Sequence, residues 1–229
     1  MRQIISFPKS GRSWVRYALH TLGVERDIRF HHDGFEYNDA TRPPLDFDLA
    51  ARRARYEGQG PIVYLSRDPR DLMVSFYHQI TGRFADLFGY EVELQEFLRD
   101  PYFGAAQLLR FQAQWAGLCN EGIALHVRYE ALHEDFAREF GRLARALGYG
   151  FSDAELAVAA SAANIENMRA VEVSGEFSGK WLRLRNNSPK VRRGRVGAHV
   201  GVLSPSDLQW LEDLVQALGN DDGGGPARR

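Results

Sequence analysis

The stretch Ser6-Phe7-Pro8-Lys9-Ser10-Gly11-Arg12-Ser13-Trp14 carries the densest set of groups able to do chemistry. An apolar run from Gln3 to Phe7 enters a tight turn at Gly11, and Val15, Ala18, Leu19 and Leu22 follow at helical spacing. A strand, a glycine turn and a helix N-terminus together present free backbone N–H groups and a positive dipole end, which suits a phosphate. Ser10 and Ser13 add hydroxyl donors and Lys9 adds a charge. The order is not that of the G-x-x-x-x-G-K-S/T loop, where lysine follows the second glycine, because Lys9 precedes the only glycine of this turn. A second charged turn, Arg67-Asp68-Pro69-Arg70-Asp71, follows another apolar run at Ile62 to Ser66. From Gly179 to Arg195 the chain collects Lys180, Arg183, Arg185, Lys190, Arg192, Arg193 and Arg195 without an acid. Such a strip repels itself in water and is neutralised by a polyanion, whether a nucleotide, an RNA or an acidic partner.

These groups need elements to position them. Gln3 to Phe7 and Ile62 to Ser66 read as buried strands, Ile123, Leu125 and Val127 as a third, and Asp27 to Phe30 leads into His31-His32-Asp33-Gly34 as the end of another. Between them lie helical patterns: Trp14 to Leu22, the segment with Leu72, Val74 and Phe76, and Phe136, Phe140, Leu143 and Leu147 up to Gly148. Ser204-Pro205 opens a last helix with Leu208, Leu211, Leu214, Val215 and Leu218 on one face. Alternating strands and helices with buried strands predict an α/β fold, a parallel central sheet flanked by helices with a P-loop-like strand-turn-helix at the N-terminus. Residues 1–219 form one domain in this reading, and 220–229 (NDDGGGPARR) a disordered tail. Asp33 to Tyr56, rich in Asp, Pro and Arg, is expected to be a long irregular loop of functional use.

The chain has 229 residues, with 29 basic side chains against 30 acidic ones and a net charge of −1. That balance argues against a nucleic-acid binder, whose domain would be basic overall. No apolar run reaches the roughly 18 residues of a membrane span, and no secretory signal opens the sequence, so a cytoplasmic protein is expected. The single cysteine, Cys119, excludes an internal disulfide and a multi-cysteine metal site. His20, His78, His126, His133 and His199 lack metal-site spacing and read as structural, His78 with a place near the acceptor. Nearly every cation is arginine; the only lysines are Lys9, Lys180 and Lys190.

The first turn resembles the 5'-phosphosulfate loop of PAPS-dependent sulfotransferases, typically Y-P-K-S-G-T-x-W. It matches at Pro8, Lys9, Ser10, Gly11 and Trp14, with Ser13 for a threonine and Arg12 replacing the other hydroxyl residue. Arg67 to His78 resembles the same family's 3'-phosphate motif, R-N/D-P-x-D-x-x-x-S-x-Y-x, which assigns Arg67 and Ser75 to that phosphate. Tyr129-Glu130-Ala131-Leu132 resembles Y-E-D-L, whose tyrosine lies near the adenine. Asn164-Ile165-Glu166-Asn167-Met168 is a weaker match to S-F-x-x-M. Arg192-Arg193-Gly194-Arg195-Val196-Gly197 resembles the R-K-G-x-x-G loop that closes over the nucleotide, with Ala198-His199 in place of the usual acidic-tryptophan pair.

The resemblance implies sulfuryl transfer from PAPS to a hydroxyl or amine acceptor, without a catalytic metal. Lys9 would stabilise the oxygen that becomes negative as the sulfuryl group leaves. His32 aligns with the family's base, Asp33 or a backbone carbonyl would orient its ring, and His31 is the reserve. The acceptor, a small molecule, glycan or lipid, is expected against the Asp33 to Tyr56 loop and the aromatic stretch His78 to Trp115. That stretch holds Phe84, Phe88, Tyr90, Phe97, Tyr102 and Phe103, although rings at this density more often make core. Two other readings stay open: a P-loop kinase-like phosphotransferase using Asp68 and Asp71 for magnesium, and a nucleotide-binding module that has lost turnover.

Overall fold

A computed structural model describes residues 1–221 apart from Asn38, Pro43, Glu176, Ser178 and Lys180, with side chains through residue 218. Four short apolar runs make the sheet: β1 (Arg2–Ser6), β2 (Ile28–His31), β3 (Ile62–Ser66) and β4 (Leu125–Arg128). All three pairings are parallel, in the order β2-β1-β3-β4. Successive strand residues point to opposite faces, so Ile4, Val63, Leu65 and Val127 build one core while Ile5, Ile62 and Tyr64 build the other. The helices are α1 (Arg12–Thr21), α2 (Leu49–Tyr56), α3 (Pro69–His78), α4 (Ala85–Phe88), α5 (Leu94–Arg99) and α6 (Ala105–Asn120) before β4. After it come α7 (Tyr129–Glu134), α8 (Phe136–Ala146), α9 (Asp153–Ala162), α10 (Ile165–Ser174) and α11 (Pro205–Asp221).

The chain leaves β1 towards β2 on one side and returns to β3 on the other. The crevice at the carboxyl ends of β1 and β3 is therefore the topological switch point, where open parallel sheets bind ligands. Several helices are capped by a side chain at their start, while α1, α4, α5, α6 and α7 are not. Asp48, Asp68, Asp135, Ser152 and Asn164 each accept a backbone N–H at the start of their helices. Helix α1 starts from Gly11 at φ 91° with no side-chain cap, which leaves its first N–H groups for another acceptor.

Several sequence expectations shift. Helix α1 begins at Arg12, two residues before Trp14, because Gly11 itself makes the turn. The third strand runs Leu125–Arg128, since the Ile123 N–H closes α6 on the Leu118 carbonyl. The loop expected from Asp33 to Tyr56 ends in α2, whose N-terminus Asp48 caps. Helix α11 continues through Asp221, past the boundary expected at 219; Lys180 of the basic strip and residues 222–229 of the expected tail lie outside the described residues.

Asp33 does not orient His32. Its buried carboxylate holds Arg52 Nε at 2.5 Å and Trp115 Nε1 at 3.2 Å, and the Tyr56 hydroxyl donates to it as well. It thereby anchors α2 and α6 beneath the loop. Most of the rings expected to wall the acceptor are core instead: Phe97, Phe103 and Trp115 are fully buried, and Phe88, Tyr90 and Tyr102 pack against them, while Phe84 does line the crevice. Asp33→Ala leaves Arg52 buried and uncompensated, and the expected loss is about 3–5 kcal/mol, readable as a lower urea midpoint at unchanged slope.

Candidate active site

A cavity of about 900 Å³ opens at the carboxyl ends of β1 and β3. Pro8, Lys9, Gly11, Arg12, Ser13 and Trp14 form one wall, Arg67, Asp71, Ser75 and Tyr129 the floor beside it, and Lys190 to Gly194 the opposite side. Lys9 takes a left-handed φ of 72°, rare for a residue with a side chain, and its Nζ donates to the Lys190 carbonyl at 3.3 Å. Burial, then the charges of Arg83, Arg67 and Arg192, bring its pKa down to about 7. Gly11 is obligatory for two reasons: its φ is 91°, and a Cβ there would lie 2.4 Å from the Tyr129 ring. Ser10, expected to offer its hydroxyl, donates it to the Phe7 carbonyl at 2.9 Å and does not line the cavity.

Arg67 leaves the end of β3 and ties the site together. It donates to the carbonyls of Lys9 and Arg195, both at 3.2 Å, and stacks over Tyr129 at 4.3 Å. Its Nε is buried without a hydrogen-bond partner among the described residues. Ser75, two turns along α3, faces the same cavity. Tyr129 meets Trp14 edge to face at 5.6 Å, and His133 packs against both rings. Across from them Ala163, Asn164, Ile165 and Met168 bring α10 to the cavity. Gly194 sits at φ 57°, where a Cβ would come within 2.3 Å of Ile165.

His32 stands at the end of β2 with Nδ1 2.6 Å from the Ser6 carbonyl and Nε2 2.6 Å from Arg12 Nη2. Burial, then the Arg12 charge, holds its imidazole well below the usual histidine pKa. The carbonyl, not Asp33, orients the ring. His31 turns away: Nε2 meets the Gln3 side chain at 3.0 Å and Nδ1 accepts the Asp33 N–H at 3.2 Å. Asp68 and Asp71 are both committed, the first to capping α3 and to Arg70, the second to the chain segment after Gly194. Among the described residues, no three His, Cys, Asp or Glu side chains gather as a metal site.

The family model described as the sulfotransferase domain matches residues 58–221. The chain belongs to the sulfotransferase domain family. Cytosolic sulfotransferase 14 of Arabidopsis thaliana is 28% identical over 170 residues, which cover 67% of this chain and 47% of that protein. The chain thus spans about half the length of that relative. By fold it resembles mouse sulfotransferase SULT7A1 complexed with PAP, with a TM-score of 0.68 at 18% identity, covering 93% of this chain and 81% of that one. It also resembles retinol dehydratase in complex with androsterone and the inactive cofactor PAP, with a TM-score of 0.67 at 17% identity over 100% of this chain and 83% of that one. The matched segment contains Arg67, Ser75, Tyr129 and the Arg192–Gly194 loop, while Lys9 and His32 lie before it.

In this sulfotransferase domain several site residues escaped the sequence reading. Glu172 of α10 is buried and accepts the N–H groups of Lys190, at 2.5 Å, and Val191, at 3.0 Å, as well as Arg83 Nη1 at 3.3 Å. Asp71 accepts the N–H groups of Gly197 at 2.8 Å and His199 at 2.9 Å, and His199 Nδ1 lies 2.6 Å from it. The departure Ala198-His199 is thus a working latch: Ala198 is buried and His199 fastens the closing loop to α3. His133, read as structural, lines the cavity. The R-D-P-R-D spacing marked Asp71, but no local signal pointed to its partners 126 and 128 residues away. Asp71→Ala removes the bonds to the Gly197 and His199 N–H groups and to His199 Nδ1, roughly 3 kcal/mol of local restraint, so tryptic cleavage after Arg192, Arg193 or Arg195 is expected to accelerate about 100-fold under native conditions.

Proposed function

We propose that the protein transfers a sulfuryl group from PAPS to a hydroxyl or amine acceptor, and that it works in the cytoplasm. The observation that carries this reading is the convergence of Lys9, Arg67 and the Arg192–Gly194 loop on one crevice beneath the uncapped start of α1. The residues fit a nucleotide with anionic groups at both ends: Arg67 Nε and Arg12 Nη1 are buried without hydrogen-bond partners among the described residues, and Gly11 keeps the turn open beside Tyr129. Lys9, Arg12, Ser13 and the α1 N-terminus would hold the 5' end, Arg67 and Ser75 the 3'-phosphate, and Trp14 and Tyr129 the base, with Arg192, Arg193 and Gly194 closing over it. Ser10 would serve through the turn it braces. For the cytoplasm, the name of the Arabidopsis relative is the support, and among the described residues no helix is long and apolar enough to cross a membrane.

PAPS supplies an activated sulfuryl group whose transfer leaves 3',5'-ADP. A bond from the acceptor oxygen or nitrogen to sulfur forms, the bridging S–O bond breaks with its electron pair going to the phosphate oxygen, and the acceptor proton passes to His32 Nε2. Lys9 places its ammonium where negative charge develops on the leaving oxygen, and a preorganised contact of this kind is worth about 3–4 kcal/mol, two to three orders of magnitude in rate. The far side of the cavity, with Phe30, Tyr37, Phe84 and Trp181, suits an acceptor with a flat or apolar body.

Calorimetric titration in EDTA tests the assignment. Tight binding of 3',5'-ADP and much weaker binding of ADP is expected, with Arg67→Ala lowering bisphosphate affinity about 100-fold and Ser75→Ala about 5-fold. Equal or absent binding of the two nucleotides would sink it. Lys9→Ala should lower turnover about 10²- to 10³-fold while keeping bisphosphate affinity within about tenfold. The Lys9 pKa adds a pH signature. Free protein loses the Lys9 proton as pH rises through about 7, and an anion beside the ammonium favours the charged form. Binding near pH 8 is therefore expected to take up a proton and to weaken as pH rises, seen as a buffer-dependent heat; a heat independent of the buffer's ionisation enthalpy would contradict this.

A further inference from the structure

His32 is held as a base whose lone pair is already occupied. The Ser6 carbonyl 2.6 Å from Nδ1 can only accept, so Nδ1 carries the proton and Nε2 the lone pair. Arg12 Nη2, 2.6 Å from Nε2, can only donate. Protonating Nε2 in this arrangement would set two N–H donors and two positive charges against each other with no acceptor between them. While Arg12 stays, His32 cannot take a proton.

Arg12 is also poorly satisfied where it is. It is the first residue of α1, beside Lys9, and its Nη1 is buried with no partner among the described residues. A buried unpaired donor costs stability that a new acceptor would restore. Arginine can meet a phosphate or sulfonate through two parallel bonds to an opposite charge, whereas the neutral imidazole nitrogen offers it one lone pair and no charge. An anion lying over the first turn therefore competes favourably for the guanidinium. Arg12 is moreover the position at which the sequence departs from the family's hydroxyl residue.

We propose that Arg12 is a positioning residue that locks His32 Nε2 in the nucleotide-free protein and releases it to the acceptor hydroxyl when the 5' anion of the nucleotide draws the guanidinium onto the turn. This rests on reading the site as that of a sulfotransferase. The base becomes available only with the donor in place, which orders the two substrates. Other groups bear on the ring: Lys190 and His31 add positive or potentially positive charge, and Glu36 accepts the His32 backbone N–H. None of them touches Nε2, so the lock belongs to Arg12.

The test is a thermodynamic cycle of one substitution and one ligand, read by NMR of histidine-labelled protein. The His32 pKa is measured in wild type and Arg12→Thr, each free and saturated with 3',5'-ADP. In the free proteins Arg12→Thr should raise the His32 pKa by at least about one unit, and with bisphosphate bound the difference should shrink to a few tenths. A difference that is absent in the free proteins, or unchanged by the bisphosphate, overturns the lock. Calorimetry on the same samples separates the two readings: absent bisphosphate binding removes the sulfotransferase assignment, whereas binding with an unchanged difference removes the lock alone. Should Arg12→Thr fail to fold, wild type still decides, because the Nε2 ¹⁵N shift moves from a hydrogen-bonded to a released lone pair on binding, and an unmoved shift refutes release.

Discussion

The constraint on which this molecule turns is the packing of many cations at the carboxyl ends of two neighbouring strands without cancelling their charge. Main-chain carbonyls solve it. Lys9 Nζ rests on the Lys190 carbonyl, Lys190 Nζ on that of Trp181 at 2.6 Å, Arg67 on those of Lys9 and Arg195, and Arg83 on those of Arg183 and Ser188. A carbonyl satisfies a donor but carries no net charge, so the loops are tied to one another while the crevice keeps its positive field. Carboxylates at the same places would have held the loops equally well and quenched the site.

The acids that do enter stand behind the cations and mostly grip backbone. Asp71 and Glu172 are buried, and each fixes two N–H groups of the segment 190–199 to a rigid helix, Asp71 from α3 and Glu172 from α10. Loop position is thereby set by helix position. A strip that reads as self-repelling in sequence becomes ordered because its own backbone supplies acceptors to Arg67, Arg83 and Lys9 and donors to two acids.

Much of this frame was legible from local pattern. The two charged turns follow the two central strands, adjacent in the sheet, as the alternation of apolar runs and helical stripes implies, and glycine at the first turn announced a backbone that no side chain tolerates beside Tyr129. What stayed hidden is what only tertiary distance decides. Asp33 follows the candidate base directly, yet past the end of β2 His32 faces the cavity while Asp33, at a left-handed φ of 52°, turns its carboxylate into the core against Arg52 and Trp115. Most rings between His78 and Trp115 have the composition of a ligand wall and the burial of a core, Phe84 at the cavity excepted, and only their packing tells the two apart. The latch from Asp71 to His199 joins two segments that share no motif.

The use of lysine at two positions among so many arginines then has a physical reading. Arg67 and Arg83 each need a fork, because each bridges carbonyls from different segments. Arginine also stays charged when buried: Arg12, desolvated at the start of α1, is lowered only to about 10. Lysine behaves otherwise. Lys9 falls to about 7, and Lys190, desolvated and facing Lys9, Arg12 and Arg83, falls well below the ordinary lysine value. The arginines are thus permanent charge that doubles as scaffold. The lysines are charge that an arriving anion restores, so an arginine at position 9 would keep the field on at all times and add its repulsion to the free protein. A site that must hold a polyanion, stay folded without one and let it go again is better served by cations that can lose their proton.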